Sequence, residues 1–301
     1  MRRALVVGAG SIGLRHAEIL GELGLETAFV TSRTDLDLPM YPAVASAVAD
    51  TRPSYVVIAT DTQKHRTSVE ELSSAGYDGL LMVEKPLMTA PSAFDQFERV
   101  GVGYNLRFHP VILRLKEILS VSEIYTVEVY AGQHLSSWRP GRPVQEQYSS
   151  SLDRGGGVLR DLSHEFDYLT LMLGRCLGIF ARGGRLARLT EDSDDAWGMV
   201  AHYERAPVLT LQLNYLDSLG RRRIVANTSV GTVEADLVAG TVAFEGEVEA
   251  FASDRNSTYR AMHRAMLSGN PVATVLEASD TDDVIGMVER SKTERKWIER
   301  Q

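Results

Sequence analysis

The chain has 301 residues, with 40 acidic against 32 basic ones and ordinary shares of hydrophobic and charged residues. This composition excludes wholesale disorder and collagen-like repeats, and the acidic excess argues against a broad nucleic-acid surface, which needs positive charge. No apolar run approaches the ~18 residues that cross a bilayer, so no membrane partner is expected. The opening run Ala4-Leu5-Val6-Val7 stops at Gly8, too soon for the core of a signal peptide. One cysteine, Cys176, makes neither an internal disulfide nor a Cys-rich zinc site. A cytoplasmic protein of two domains or one large one, held by its core, is expected.

The first hundred residues alternate strand-like and helix-like segments. Residues 4–7 read as a strand ending in glycine. Ile12, His16, Ile19, Leu20 and Leu23 then recur at helical spacing. Strands are expected at 27–31, 55–59, 79–83 and 100–104, with a helix over 67–75. Thr89 before Ala90-Pro91 reads as the cap and early proline of another helix. Alternating strands and helices imply parallel pairing through right-handed crossovers, hence a doubly wound α/β sheet. Beyond residue 105 the pattern changes. Helices are expected over 111–119 and 157–173, the latter from Leu159, Leu162, Phe166, Leu169 and Leu173. Strands are expected at 124–131, 198–203, 208–215, 223–228, 231–236 and 241–244. Their succession without helices suggests an open, largely antiparallel sheet in an α+β domain. Helices near 258–267 and 281–290 end the chain. The change of pattern sets domains of 1–105 and 106–301.

Gly8-Ala9-Gly10-Ser11-Ile12-Gly13 reads G-x-G-x-x-G between the first strand and the first helix. Gly8 suits a tight turn, Gly10 a close backbone approach to a pyrophosphate, and Gly13 close helix–sheet packing. The helix N-terminus, with Ser11 and Ile12, adds partial positive charge. An NAD site usually carries an acid at the end of the second strand. Here Ser32 and Arg33 stand there, and no carboxylate appears until Asp35. Ser32 and Arg33 suit a 2′-phosphate, so NADP is expected ahead of NAD. A solvated loop arginine beside a permissive site is the alternative.

Four further segments carry a resemblance. They are Ala59-Thr60-Asp61-Thr62-Gln63-Lys64-His65, then Glu84-Lys85-Pro86, Tyr104-Asn105-Leu106-Arg107-Phe108-His109-Pro110, and the stretch from Gly155-Gly156-Gly157 through Asp161, His164 and Asp167. With the glycine turn, they resemble the Gfo/Idh/MocA oxidoreductases, a family that includes glucose–fructose oxidoreductase and inositol dehydrogenases. The resemblance implies a Rossmann domain, an open-sheet second domain and an active site between them. It implies that Lys85 donates to a substrate oxygen and helps position the nicotinamide. Thr60, Thr62, His65 and Glu84 join the cofactor contacts. Arg107, Trp138, Arg139, Tyr148 and Glu165 become substrate contacts. Trp138-Arg139-Pro140-Gly141 and Asp161-Leu162-Ser163-His164-Glu165 further resemble a subgroup associated with bacterial surface-sugar biosynthesis. A sugar, acidic sugar or nucleotide sugar is thereby implied.

Lysine is scarce, five against 27 arginines. Lys85 follows a strand at the rim where doubly wound sheets bind ligands, and Pro86 restricts it to extended backbone. It is either a surface charge or a donor to a substrate oxygen. Asp161 and His164, three apart in an expected helix, share one face. An aspartate orients a hydroxyl, and a histidine of ordinary pKa ~6.5 carries a proton at neutral pH. A dipole-favoured aspartate and a capped histidine are the bland alternative. Many family members place the histidine four residues after the aspartate, where Glu165 stands here, so the acid/base is His164 or Glu165. His164-Glu165-Phe166-Asp167-Tyr168 lacks the second histidine of H-E-x-x-H, so no metal is expected. Trp138 is a platform for a sugar face or a cover for the core.

These readings converge on an NAD(P)-dependent oxidoreductase acting on a secondary alcohol or ketone of a sugar-like substrate. A silent cofactor-binding regulator and a redox-assisted glycosidase or lyase are the rivals. Leu209, Leu211 and Leu213 share one side of a strand, which suggests an apolar sheet face and a homodimer or homotetramer.

Overall fold

Short strands buried on both faces build the first unit. The computed structural model describes residues 2–301. In it β1 (Arg3–Val7) leads to α1 (Ser11–Glu22) and β2 (Glu26–Val30). β3 (Met40–Tyr41), α2 (Val44–Thr51), β4 (Tyr55–Ile58) and α3 (His65–Ser74) follow, then β5 (Leu80–Val83) and β6 (Arg99–Val102). All six strands are parallel, in the order β3-β2-β1-β4-β5-β6. The order reverses between β1 and β4, so Gly8, Ala59 and Glu84 leave neighbouring strands at the carboxyl edge, where such sheets bind ligands. Every residue of β4 is buried, as a central parallel strand demands. α1 buries Gly13, His16, Ala17, Ile19 and Leu20 at spacings of one helical turn. The helix expected after Thr89 is only a 3-10 turn, Pro91–Phe94, capped by Ala90.

The second unit has α4 (Pro110–Ser120), β7 (Ile124–Gly132), α5 (Val158–Asp161) and α6 (His164–Leu173). β8 (Cys176–Gly184), β9 (Ala196–Tyr203), β10 (Ala206–Asn214) and β11 (Arg221–Thr228) come next. β12 (Gly231–Asp236), β13 (Thr241–Phe244) and β14 (Glu247–Ala250) follow. The chain then forms α7 (Ser257–Ser268), α8 (Val275–Glu294) and β15 (Ile298–Glu299). Thr274 and Glu277 make a reciprocal box at the start of α8, each backbone N–H bonded to the other's side chain. The sheet order is β14-β13-β12-β11-β7-β10-β9-β8-β15. β10 runs parallel to β7 and the other paired neighbours are antiparallel.

Three further expectations need correction. The domain boundary near 105 is not single: residues 255–279 belong with the first unit, and residues 106–254 and 280–301 form the second. α7 packs on α1 there, burying Met262, His263 and Met266. The helix expected over 157–173 is broken at Leu162-Ser163, where the Ser163 N–H reaches back only three residues, to Arg160 O. Each half is anchored on its own partners, so Asp161 and His164 do not share one helix. Leu209, Leu211 and Leu213 are not an open face. They are buried in the core against the helices, while Thr210 and Gln212 face outward. Leu211→Ala should cost ~2–5 kcal/mol of stability and Thr210→Ala within ~0.5 kcal/mol, as read by denaturant unfolding.

Candidate dinucleotide and substrate sites

Gly8 has a φ of +100°, and a Cβ on it would lie 2.7 Å from Ala59 O. A Cβ on Gly13 would overlap the carbonyl oxygen of Gly8. These two glycines bring the end of β1 and the start of α1 together. Gly10 differs: nothing lies within 4 Å of the Cβ it would carry. It stands at the N-cap of α1, which has no side-chain cap and no acidic residue in its first turn. Gly10 and Ser11 are exposed. Backbone N–H groups at an uncapped helix start, with open space over a glycine, fit a pyrophosphate.

At the end of β2, the Arg33 guanidinium reaches over this turn. Its Nη1 donates to Ala9 O at 3.2 Å, while Nε and Nη2 donate to Asp35 at 2.9 and 2.8 Å. The Arg33 hydrogen bond holds the Asp35 carboxyl below its ordinary value. Ser32 is exposed beside it. The turn after β4 carries half-buried Thr60 and buried Thr62. His65 is walled in, its Nε2 3.3 Å from Thr60 O, and burial pushes its pKa down. It braces this turn from within.

Glu84 also turns inward. Its Oε1 accepts from His16 Nε2 at 2.9 Å and its Oε2 accepts from the Lys85 backbone N–H at 3.2 Å. Burial pushes this carboxyl up, but the His16 hydrogen bond and the nearby Lys85 charge outweigh burial and hold it below the ordinary range. The expectation of Glu84 as a direct cofactor contact is therefore corrected. Lys85 is half-buried beyond β5, and the Lys85–Pro86 bond is cis.

In the second unit, Asp161 Oδ2 accepts from Tyr215 Oη at 2.6 Å. Burial and then the Asp161 charge push the Tyr215 phenol well up, so it stays a donor. His164 is half-buried at the first position of α6. Trp138 stands edge-on to Tyr215, ring centroids 5.4 Å apart, and packs on the core. Arg139 is half-buried next to it. Tyr148 Oη donates to Gly155 O at 2.7 Å and so ties down the glycine run. Asp194, which no sequence signal singled out, anchors that run's exit. Its Oδ2 accepts from Leu159 N at 3.0 Å and Trp197 Nε1 at 2.8 Å, and its backbone oxygen accepts from Val158 N. Burial still pushes its carboxyl up.

Two expected substrate contacts are instead internal ion pairs. Arg107 forks onto Asp167 through Nε and Nη2, at 2.7–3.1 Å, and both are buried. Glu165 is fully buried, accepting from Arg222 Nε at 2.6 Å, Arg222 Nη2 at 3.0 Å and Tyr168 Oη at 3.2 Å. Three donors thus fill the lone pairs of this carboxylate in the interior. Tyr215 was legible only as a member of an alternating strand, and Arg222 fell just outside the strand expected at 223–228. The acidic pair Asp194-Asp195 before Trp197 was a signal that could have been used.

A parallel doubly wound sheet with this turn defines a dinucleotide-binding domain of the Rossmann class. Residues 2–101 match the family model of the Gfo/Idh/MocA oxidoreductases, an oxidoreductase family with an NAD-binding Rossmann fold. No curated protein matched the chain. Among solved structures, GenD2 from gentamicin A biosynthesis, in complex with NAD, is similar at a TM-score of 0.82 and 20% identity, covering 100% of this chain and 97% of its own. The WlbA dehydrogenase from Bordetella pertussis, in complex with NADH and UDP-GlcNAcA, is similar at 0.81 and 16%, covering 100% and 98%. A putative myo-inositol dehydrogenase from Sinorhizobium meliloti gives 0.74 and 18%, covering 99% of each chain. At these identities the likeness establishes the fold.

The glycines make opposite predictions. Gly10→Ala should keep the melting temperature yet weaken dinucleotide binding in calorimetry, because its Cβ enters open space. Gly13→Ala should lose ~1–3 kcal/mol of stability through overpacking. Unchanged dinucleotide affinity in Gly10→Ala would remove the turn from the cofactor site.

Proposed function

We propose that the chain is an NAD(P)-dependent oxidoreductase that interconverts a secondary alcohol and a ketone on a sugar or nucleotide sugar. The observation that carries this reading is the open, uncapped glycine turn with Lys85 held at a nearby strand end by its buried neighbour Glu84. The turn from Gly8 to Gly13 would hold the pyrophosphate, with Thr60 and Thr62 beside it. The nicotinamide, when bound, supplies or accepts the hydride. Lys85 donates to the reacting oxygen, Asp161 orients the substrate and His164 takes or returns the hydroxyl proton. Arg139 suits an acidic group on the substrate, with Trp138 and Tyr148 shaping the same loop. The sugar class rests on the family's motifs and on the similar fold of a protein solved with UDP-GlcNAcA. A silent regulator needs only the dinucleotide turn, so Lys85, Asp161 and His164 together favour the enzyme.

Lys85→Ala should cost ~10²–10³ in turnover, about 2.7–4 kcal/mol, while dinucleotide affinity stays near that of the unaltered protein. The ammonium stabilises oxygen charge that grows in the transition state, whereas the pyrophosphate is held by backbone amides. His164→Ala should slow turnover by ~10²–10⁴ and remove one limb of the pH–rate profile. Lys85→Ala retaining more than about a tenth of turnover, a loss under ~1.4 kcal/mol, would make the lysine structural.

Arg33 supports NADP as the preferred cofactor, and Asp35 works against it by occupying two of the guanidinium's donors. NADP should therefore raise the melting temperature more than NAD at equal concentration. Arg33→Ala should narrow that gap and Asp35→Asn should widen it. A larger shift with NAD in the unaltered protein would reverse the preference.

We also propose a homodimer or homotetramer through the second unit's sheet, across the face that carries exposed Phe180, Val200 and Val208 rather than the leucines. Sedimentation at micromolar concentration should show dimers or tetramers. A species of monomer mass alone would refute this.

A further inference from the structure

Four buried side chains of the first unit form one line. Glu84 Oε1 is 2.9 Å from His16 Nε2. His16 Nδ1 is 2.8 Å from His263 Nε2, and His263 Nδ1 is 2.8 Å from Tyr55 Oη. They come from the end of β5, from α1, from α7 and from β4. All but Glu84 are fully shut off from solvent, and Glu84 nearly so. A Cβ on Gly103 would lie 2.7 Å from Glu84 Oε1, so the neighbouring backbone is closed around this carboxylate.

With His16 neutral, the proton positions follow from the chemistry of the groups. An ionised carboxylate only accepts, so His16 Nε2 carries a hydrogen. A neutral imidazole has one N–H, so His16 Nδ1 accepts and His263 Nε2 carries a hydrogen. His263 Nδ1 then accepts in turn, and Tyr55 donates. Three protons fill three hydrogen bonds with one net charge, on Glu84. Burial pushes His263 well down and Tyr55 well up, which keeps both in these neutral forms. Other titratable groups within electrostatic reach of Glu84 are Lys85, His65 on α3 and Tyr259 on α7, the last beneath the Arg15 guanidinium.

We infer that Tyr55, His263 and His16 are a tautomer relay, a set of positioning residues that locks ionised Glu84 and through it sets the direction of Lys85 and keeps an anion beside it. Each donor removes a choice from the next ring. Tyr55 holds His263 as the Nε2–H tautomer, and His263 does the same to His16. Without that constraint His16 can place its hydrogen on Nδ1, leaving a lone pair facing the carboxylate. A buried carboxylate without its donor takes up a proton more readily, and Lys85 then loses the anion beside it. The significance for catalysis rests on the role proposed for Lys85, but the relay can be read without substrate.

Two measurements test it. Nitrogen NMR of labelled imidazoles should show His16 and His263 neutral and protonated at Nε2. Tyr55→Phe should disturb the His16 signal as well as that of His263. Competitive acylation with acetic anhydride, read by peptide mass spectrometry, reports the reactivity of each of the five lysines. His263→Phe should raise labelling at Lys85 roughly three- to tenfold, with Lys64, Lys116, Lys292 and Lys296 unchanged. His263→Gln, whose amide both accepts from Tyr55 and donates to His16, should restore the unaltered rate. Doubly protonated or Nδ1–H His16 in the unaltered protein would overturn the relay. So would Lys85 labelling that ignores His263→Phe, or that His263→Gln fails to restore. If His263→Phe does not fold, labelling rises at all five lysines and Tyr55→Phe decides: unchanged His16 and Lys85 there also overturn it. Loss of the relay with Lys85→Ala still active would instead fault the catalytic assignment alone.

Discussion

The close approach of Gly13 to the carbonyl of Gly8 is the contact on which the first unit depends. It leaves no room for any side chain, so α1 can start directly against the end of β1. One turn later on the same face, His16 is thereby carried into the interior, within hydrogen-bond distance of Glu84. The same geometry leaves the first N–H groups of α1 without a side-chain partner and with open space over Gly10. A packing constraint thus produces both the anion-binding turn and the buried anchor of the Glu-Lys-Pro segment.

The second unit buries two carboxylates of one helix as ion pairs. α6 carries Glu165 and Asp167, and each is filled by a forked arginine in the interior. Buried pairs of this kind cost several kcal/mol per ion to desolvate, and that cost is offset only when the lone pairs are filled, as they are here. Asp161, outside that interior, is half-buried and bonded to a phenol that burial keeps protonated.

The glycine turn and the strands beside it were legible in the sequence because each follows from local spacing, and the resemblance of the motifs anticipated the match to the family model. β4 is a solid apolar run, and Gly8, Gly10 and Gly13 stand where strand meets helix. What could not be read was long-range. The return of α7 to the first unit places His263 against His16 across 247 residues, and no local pattern encodes such a pairing. The break at Leu162-Ser163 was hidden for a related reason: an apolar stripe continues through it, while the anchors that set the two halves, Asp194 and the arginine forks, are remote. Glu165 looked like a candidate base from its spacing to Asp161. Only the position of Arg222, on a strand far along the chain, shows that its lone pairs are already filled. The leucines of β10 were rightly assigned to one face, but a strand's periodicity does not say which face the helices cover.

The central claim is net redox chemistry on a sugar-like substrate. It is tested most directly by following nicotinamide absorbance and product together while the protein is given a panel of sugars, sugar acids and nucleotide sugars. The account predicts that, for the true substrate, one cofactor is oxidised or reduced for each molecule of product. Product formed with no net change in the cofactor would contradict it in favour of a redox-assisted cleavage, and tight cofactor binding with no product from any sugar would contradict it in favour of a regulator.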